Sequence, residues 1–554
     1  MSSYLDIIWV LVCSVLVFLM QAGFAMLEAG LTRAKNAGNI IMKNIMDYCV
    51  GSLVFWAIGF GIMYGRSAGG IVGIPQLFDS SSYEAAGTLP SMVFLMYSTV
   101  FCSTATTIVS GAMAERTKFK SYMIYSAVMS GLIYPISGHW IWNPSGWLNN
   151  LGFHDFAGGT AVHVVGGTAA FIGALTVGAR IGKFGKNGKA KAIPGHNLLI
   201  SALGIFILWV GWFGFNGGSA VLSEGFNPEM LGNVFFNTNV SAAACVAATM
   251  FITCARYGKP DISMTLNGAL AGLVAITCGC DVMTPFGALA TGIIAAFVLV
   301  FGIELVNKLK VDDPVGAVSV HGMCGAAGTI LTGIFSTENG LLYTGRFDGI
   351  ITQLLGALTV AAWTAAAMGI VFVLIKKTVG IRVSAESEIA GLDRSEHGIV
   401  GIYSDWGGAM QLSADTAPQG SVRTIDDTTE LSPSDYKTDG RLRKVVVITN
   451  PSKFEIMKNA LDKLDVTGMT VTNVSGCGIQ KGSTEYYRGA EFESHLLPKI
   501  KVEIVISTVP LGLLVDTLKK VLYMGKVGDG KIFVYDVENV IKIRTGAQGS
   551  SALE

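Results

Sequence analysis

His163 and His321 stand inside apolar, glycine-rich runs, Val162-His163-Val164-Val165-Gly166-Gly167-Thr168 and Val320-His321-Gly322-Met323-Cys324-Gly325. Each run is long enough to cross a bilayer, where an ionisable side chain is costly and normally faces a packed interior or a pathway. Imidazoles donate, accept and relay protons near neutral pH. Two of them in matching texts predict a duplicated membrane architecture whose halves share a site near the midplane. Either histidine alone reads first as a helix–helix hydrogen-bonding residue; the pairing is what points to chemistry.

Other residues fit around that pair. Asp155 precedes His163 by eight residues, about 12 Å if the stretch is helical. Phe101 lies in the third apolar run, Trp142 closes the fourth, and Trp212-Phe213-Gly214-Phe215-Asn216-Gly217-Gly218-Ser219 ends the sixth. A small cation losing its water finds substitutes in aromatic faces and a hydroxyl, whereas a dry apolar lumen admits only a neutral species cheaply. The set suits a weak base that arrives charged and is handled deprotonated. Taken singly, Phe101 and Phe215 read as packing residues, Trp142 as a membrane-interface tryptophan and Asp155 as a structural carboxylate.

The elements that must position these residues are membrane helices. Of 554 residues, 51% are hydrophobic and 14% charged, against about 25% charged in soluble domains. The 69 glycines suit close packing of membrane helices. A formal net charge of zero leaves no basic surplus for phosphates, which argues against a nucleic-acid partner. The nine cysteines show neither zinc spacing nor a disulfide framework, and the first apolar run lacks the basic leader of a removable signal.

Hydropathy predicts eleven spans, at roughly 6–31, 45–65, 89–114, 121–141, 157–180, 196–219, 235–256, 262–280, 284–307, 315–335 and 348–376, each near the ~20 apolar residues a bilayer needs. Lys and Arg fall on alternate connections, from Arg33, Lys35 and Lys43 to Lys376, Lys377 and Arg382; only Arg66 and Arg346 fall on the others. The expected topology has the N-terminus outside and the C-terminus in the cytoplasm, in the cytoplasmic (inner) membrane. The domain reading is 1–406 membrane domain with a cytosolic tail, 407–440 flexible linker and 441–554 a second domain. Polar text fills the linker, such as Asp426-Asp427-Thr-Thr-Glu, with too little apolar surface to offset ordering entropy. The last segment alternates strand and helix patterns: Lys444–Thr449, a helix with Phe454, Met457, Leu461 and Leu464 on one face, Val471–Val474, Lys501–Ser507, a helix at Leu511–Leu522, Ile532–Val537 and Val540–Ile543. The fold class is therefore an all-α polytopic membrane domain with an inverted repeat, plus an α+β ferredoxin-like domain.

The runs Asp155–His163, Gly211–Ser219 and Asp312-Asp313-Pro314 followed by His321-Gly-Met-Cys-Gly, in this order, resemble the Amt/Mep/Rh ammonium transporter family over about residues 5–405. The resemblance implies a homotrimer with one pore per subunit and no cofactor for transport. It places Trp142, Phe215 and Ser219 at an outer ammonium site and Phe101 with Phe215 at an aromatic gate. His163 and His321 become the pore pair, and Asp155 a buried orienting carboxylate.

In the second domain, Gly476-Cys477-Gly478-Ile479-Gln480-Lys481-Gly482 and Gly525-Lys526-Val527-Gly528-Asp529-Gly530-Lys531, with Lys542-Ile543-Arg544, combine glycines with basic heads. Such text suits phosphates, although the first glycine run alone reads equally as a tight turn. Together it resembles PII signal-transduction proteins over about residues 442–549. By position the resemblance implies nucleotide contacts from Gly478, Gln480, Gly528, Asp529, Gly530, Lys531, Lys542 and Arg544. Gln480 and Lys499 would serve Mg-ATP and 2-oxoglutarate, with Mg held by the ATP and Gln480, and Arg488 would sit at the apex of a pore-blocking T-loop. Ile479 and Lys542 replace arginines usual there, and Phe492 replaces a tyrosine that some relatives uridylylate, so that modification has no hydroxyl to use. No nucleophile–base constellation appears, so the expected activity is ammonium transport under ATP/ADP and 2-oxoglutarate control, not catalysis. The alternative is an ammonium sensor that signals through its PII-like domain with little transport.

Overall fold

Backbone amides have no water to bond in a bilayer, so apolar runs of this length satisfy them internally as helices. The computed structural model describes residues 4–75, 77–78, 89–185, 187–399, 436, 438–466, 468–476, 484–487, 490–493, 497–525 and 529–553. Among them, nine helices are long and apolar enough to cross a membrane: α1 (Tyr4–Leu31), α2 (Ala34–Tyr64), α3 (Ser91–Ala112), α5 (Gly159–Val177), α6 (Leu198–Glu224), α7 (Pro228–Tyr257), α9 (Pro285–Lys308), α10 (Val318–Phe335) and α11 (Asp348–Thr378). Two more complete the expected eleven. Residues 119–142 form α4, continuous through a π-helical turn at Met129–Ile133, and α8 is the shorter Ile262–Ile276.

Two sequence expectations for the membrane helices are corrected. Lys43 does not sit in a connection: α2 begins at Ala34, so Lys43 lies within the helix and is 1% exposed. Nor are Asp155 and His163 joined by helix, because α5 starts only at Gly159.

Helices α5 and α10 run in opposite directions past each other. Arg180, just beyond the end of α5, bonds Asp312, just before α10, while Thr160 at the start of α5 meets Thr329 in the second half of α10 at 2.7 Å. Glycine permits the approach: a Cβ on Gly167 would fall 2.1 Å from the Gly322 nitrogen. Both helices open with π-helical turns, Gly159–Val164 and Val318–Met323. Such turns carry one extra residue per turn and recur at functional sites.

Ion pairs gather the connections on one face. Arg180 donates to both oxygens of Asp312 (2.8 and 3.0 Å) and to Glu115 Oε1 (2.8 Å), and Arg33 also pairs with Glu115. Glu115 has φ +74, a conformation costly without glycine, held here by its two arginine partners. Arg382 bonds Glu388 at 2.7 Å and the carbonyl of Ala179 at 2.7 Å. Asp312 is buried, which alone would raise its carboxyl, yet the Arg180 and Arg116 guanidinium groups hold it down to about 2.

The described residues divide into two units, Met1–Glu388 and Ile389–Glu554; most of the expected linker lies outside the described residues. In the second unit β1 (Arg443–Thr449), α12 (Phe454–Asp462), β2 (Met469–Gly476), β3 (Leu497–Ile506), α13 (Leu511–Leu522) and β4 (Gly530–Asp536) form one antiparallel sheet in the order β2-β3-β1-β4. This is the split-βαβ arrangement. Val445, Val447, Val502 and Ile504 project from the sheet into a core with Met457, Leu461, Leu514 and Leu518 from the helices. Thr484–Tyr487 and Ala490–Glu493 pair as a separate ribbon. The expected strand at Val540–Ile543 is not a strand: Ile541 makes only an isolated bridge to Gln548, because the chain turns back at 542–547.

Arg180→Ala leaves the carboxylates of Asp312 and Glu115 buried beside one fewer cation, which typically costs about 3–5 kcal/mol. Thermal unfolding in detergent will show a lowered midpoint. Because the folded Asp312 value lies below the ordinary carboxylate value near ~3.9, this ion set stabilises fully above that value and is lost as pH falls through about 2.

Candidate functional site

Each helix bearing a histidine is started by an aspartate. Asp155 accepts from the amides of Gly158 (3.0 Å), Thr160 (2.9 Å) and Ala161 (2.8 Å). Asp313 accepts from Gly316 (3.0 Å) and Val318 (2.8 Å). These amides are the unpaired donors of a helix N-terminus, and a carboxylate both bonds them and suits the dipole. Gly158 and Gly316 take φ +101 and +83, the left-handed region that admits glycine freely. The pattern Asp-x-x-Gly-x-x-x-x-His therefore occurs twice, ending on His163 and on His321. The sequence reading quoted Asp313 in the run before His321 but gave it no role, although the repeated spacing carried one.

The antiparallel crossing brings the two imidazoles together. Their Nδ1 atoms lie 3.2 Å apart and the ring centroids 5.2 Å apart. One ring donates its N–H and the other accepts, so the tautomers are linked. His163 is fully buried, and its Nε2 has no hydrogen-bond partner among the described residues. Trp212 stacks on His163 with centroids 5.1 Å apart and fixes its own indole by donating to Thr277 Oγ1 at 2.8 Å. Trp212 is a site residue that sequence reasoning did not assign, since an apolar tryptophan in a span gives no signal of what it faces.

A cavity of about 390 Å³ opens away from the ion-paired face, lined by Phe101, Trp142, Ser219, Tyr97, Ser98 and other residues. It thus contains three of the expected site residues. Phe215 closes its floor: it stacks on Phe101 with centroids 4.0 Å apart and planes 13° apart, and its ring lies 5.7 Å from His163. Tyr97 holds this corner, donating to the Phe215 carbonyl at 2.7 Å and meeting Ser219 Oγ at 3.1 Å. Trp142 is anchored by its indole N–H on the Asp155 carbonyl at 2.7 Å. Asp155 itself lines neither this cavity nor the one next described; it acts through helix and tryptophan. On the other side of the pair, His321 borders a small cavity of about 10 Å³ with Phe24, Glu28, Asn267 and Val315. The sequence of groups is vestibule, stacked phenylalanines, His163, His321, small cavity.

In the second unit, Asp529 accepts from the amides of Met524 and Gly525 at 3.0 and 3.1 Å, and its carbonyl takes the Thr449 hydroxyl at 2.7 Å. Gly530 has φ +121, and a Cβ there would meet the Ile448 carbonyl at 2.3 Å. Lys531 follows in β4, exposed; Lys542 and Arg544 occupy the turn closed by Gly546 N to Lys542 O at 2.8 Å. Lys499 lies in β3 opposite Val474. Gly478, Gln480, Arg488 and Gly528 lie outside the described residues, as does the side chain of Phe492.

Comparison with known proteins gives two family matches: the Ammonium Transporter Family over residues 8–402 and nitrogen regulatory protein P-II over residues 442–547. The chain is 45% identical over 417 residues to ammonium transporter Amt2 of Archaeoglobus fulgidus, covering 71% of this chain and 87% of that one. It is 39% identical over 412 residues to ammonium transporter Amt1 of Haloferax mediterranei, covering 71% and 78%. A solved "Sensor Amt Protein" aligns at TM-score 0.67 and 37% identity over 71% of this chain and 98% of the other. Candida albicans Mep2 aligns at 0.65 and 26%, over 70% and 89%. The chain belongs to the Ammonium Transporter Family and carries a P-II unit behind its membrane helices.

Proposed function

We propose that the first unit conducts ammonia derived from ammonium across the cytoplasmic membrane, and that the second regulates it in cis. The observation that carries this reading is the 3.2 Å Nδ1–Nδ1 contact with a cavity on either side of the pair. Ammonium arrives in the vestibule, where Phe101 and Trp142 offer π faces and Ser219 a hydroxyl. Past the stacked phenylalanines the surroundings are too apolar for a bare cation. The substrate gives up its proton, and neutral ammonia passes along the imidazoles, which can accept and donate at each step. His163 and His321 line the route, Phe101 and Phe215 gate it, and Asp155 positions. The ion-paired, lysine-rich face lies in the cytoplasm, the N-terminus outside, and three subunits assemble with one pore each; the protein is a transporter rather than an enzyme.

The P-II family match supports regulation by small ligands. Asp529, Gly530, Lys531, Lys542 and Arg544, with Gly478, Gln480 and Gly528, would receive ATP or ADP; Gln480 and Lys499 would serve Mg-ATP and 2-oxoglutarate. A tether of tens of residues raises effective concentration to about millimolar, so Arg488 of the T-loop would reach a pore intramolecularly. A second reading draws on the resemblance to the protein named as a sensor: the first unit binds ammonium and the P-II unit signals, with little flux.

Proteoliposome flux separates the readings, since a sensor reconstitutes without appreciable transport. His321→Ala will lower ammonium-driven flux about 100-fold, the low end of what a positioned proton-transfer group contributes; unchanged flux contradicts the twin-imidazole route. Arg544→Ala will weaken ATP binding by calorimetry about tenfold, as expected for one lost charged hydrogen bond. Arg488→Ala will leave flux insensitive to ADP, whereas retained inhibition assigns gating to another element.

A further inference from the structure

Glu28, near the end of α1, is 2% exposed and borders the small cavity that His321 also borders. At about 10 Å³ that cavity has room for about one water. Glu28 Oε2 accepts from Ser110 Oγ at 2.8 Å and Asn44 Nδ2 at 3.2 Å. The Ser110 carbonyl accepts from Lys43 Nζ at 3.3 Å, and Lys43 rests 5.1 Å from the Tyr122 ring centroid. One turn further on α2, Asp47 accepts from Thr107 Oγ1 at 2.7 Å, while its Oδ1 has no partner among the described residues. Lys43 is 1% exposed and Asp47 fully buried.

The charged and titratable groups facing this set are few. Lys43 and Asp47 come from α2, Tyr122 and Tyr125 from α4, and His321 from α10 at the cavity; Glu115 and Arg116, after α3, face Lys43. Helix α3 contributes hydroxyls, a carbonyl and the Cys102 thiol facing Asp47, and α8 contributes Asn267. Burying an ion costs several kcal/mol even after relaxation, and the route through the imidazoles uses none of these three. Two carboxyls around one ammonium can carry a proton on either carboxyl without leaving a buried charge unmatched inside the triad.

We propose that Glu28 is the proton acceptor for the substrate. The inference rests on the twin-imidazole reading. Ammonium becomes ammonia, and its proton passes through His163, His321 and one water to end on Glu28 as a carboxylic acid. The Glu28–Lys43–Asp47 set then releases one proton toward the ion-paired face, which restores the carboxylate. Ammonia and proton share the passage as far as His321 and part at the small cavity, and each cycle moves one positive charge.

The test compares full-length native protein, Glu28→Gln and Glu28→Asp in proteoliposomes, recording ammonia flux and the current on a supported membrane under one ammonium gradient. Glu28→Gln will lower ammonia flux and current together about tenfold or more, and Glu28→Asp will recover part of both. In native protein, adding ammonium will alter the infrared carbonyl band of a protonated carboxylic acid, a change absent in Glu28→Gln. The proposal is overturned by native flux and current in Glu28→Gln, or by a native protein that conducts ammonia without charge. Absence of ammonia flux in native protein instead sinks the twin-imidazole reading. Should the variants not assemble, the native infrared measurement decides: a carboxylic-acid band indifferent to ammonium overturns the proposal.

Discussion

Two imidazoles hydrogen-bonded to each other in an apolar interior impose the rest of the architecture. Each ring must find its polar partner inside the protein, because none is available from lipid, and an unmet group is costly there. The 3.2 Å contact therefore demands that two helices approach at backbone distance and hold their angular positions. Glycine at 167, 322 and 325 permits the approach. The aspartate-started, π-helical first turns set the angle, and Trp212 removes the remaining freedom of one ring.

The duplication explains why the site lies where it does. Helices α5 and α10 enter from opposite faces, each with an aspartate before it and a histidine eight residues on, so their crossing point falls near mid-depth. The two copies then diverge. Asp155 also carries the carbonyl that anchors Trp142 in the vestibule. Its counterpart Asp313 follows Asp312, which belongs to the ion set on the other face and ties the end of α5 to the start of α10. One copy opens to substrate; the other fastens the crossing.

Much of this was legible in the residues because periodicity and composition are local properties. The eleven spans, the order of strands and helices in the second unit, and helix Leu511–Leu522 follow from apolar length and alternation. The histidine pairing followed from repeated text. Less visible were features that depend on partners far along the chain. Lys43 read as a loop cation because lysine is rarely buried, yet Ser110 and Tyr122, contributed by other helices, accommodate it inside α2. The β-like text of Val540–Ile543 lost to a turn closed by backbone bonds from Gly546 and Lys542. Asp529 reads as a ligand contact, and what the sequence did not show is that its Oδ2 also accepts from the amides of its own turn.

The most direct measurement is nitrogen NMR on protein labelled at the histidine ring nitrogens. A shared proton between His163 and His321 will appear as a coupling between their two Nδ1 nuclei, lost together when either ring is replaced. Two histidines that show no such coupling and titrate independently would contradict the account at its root.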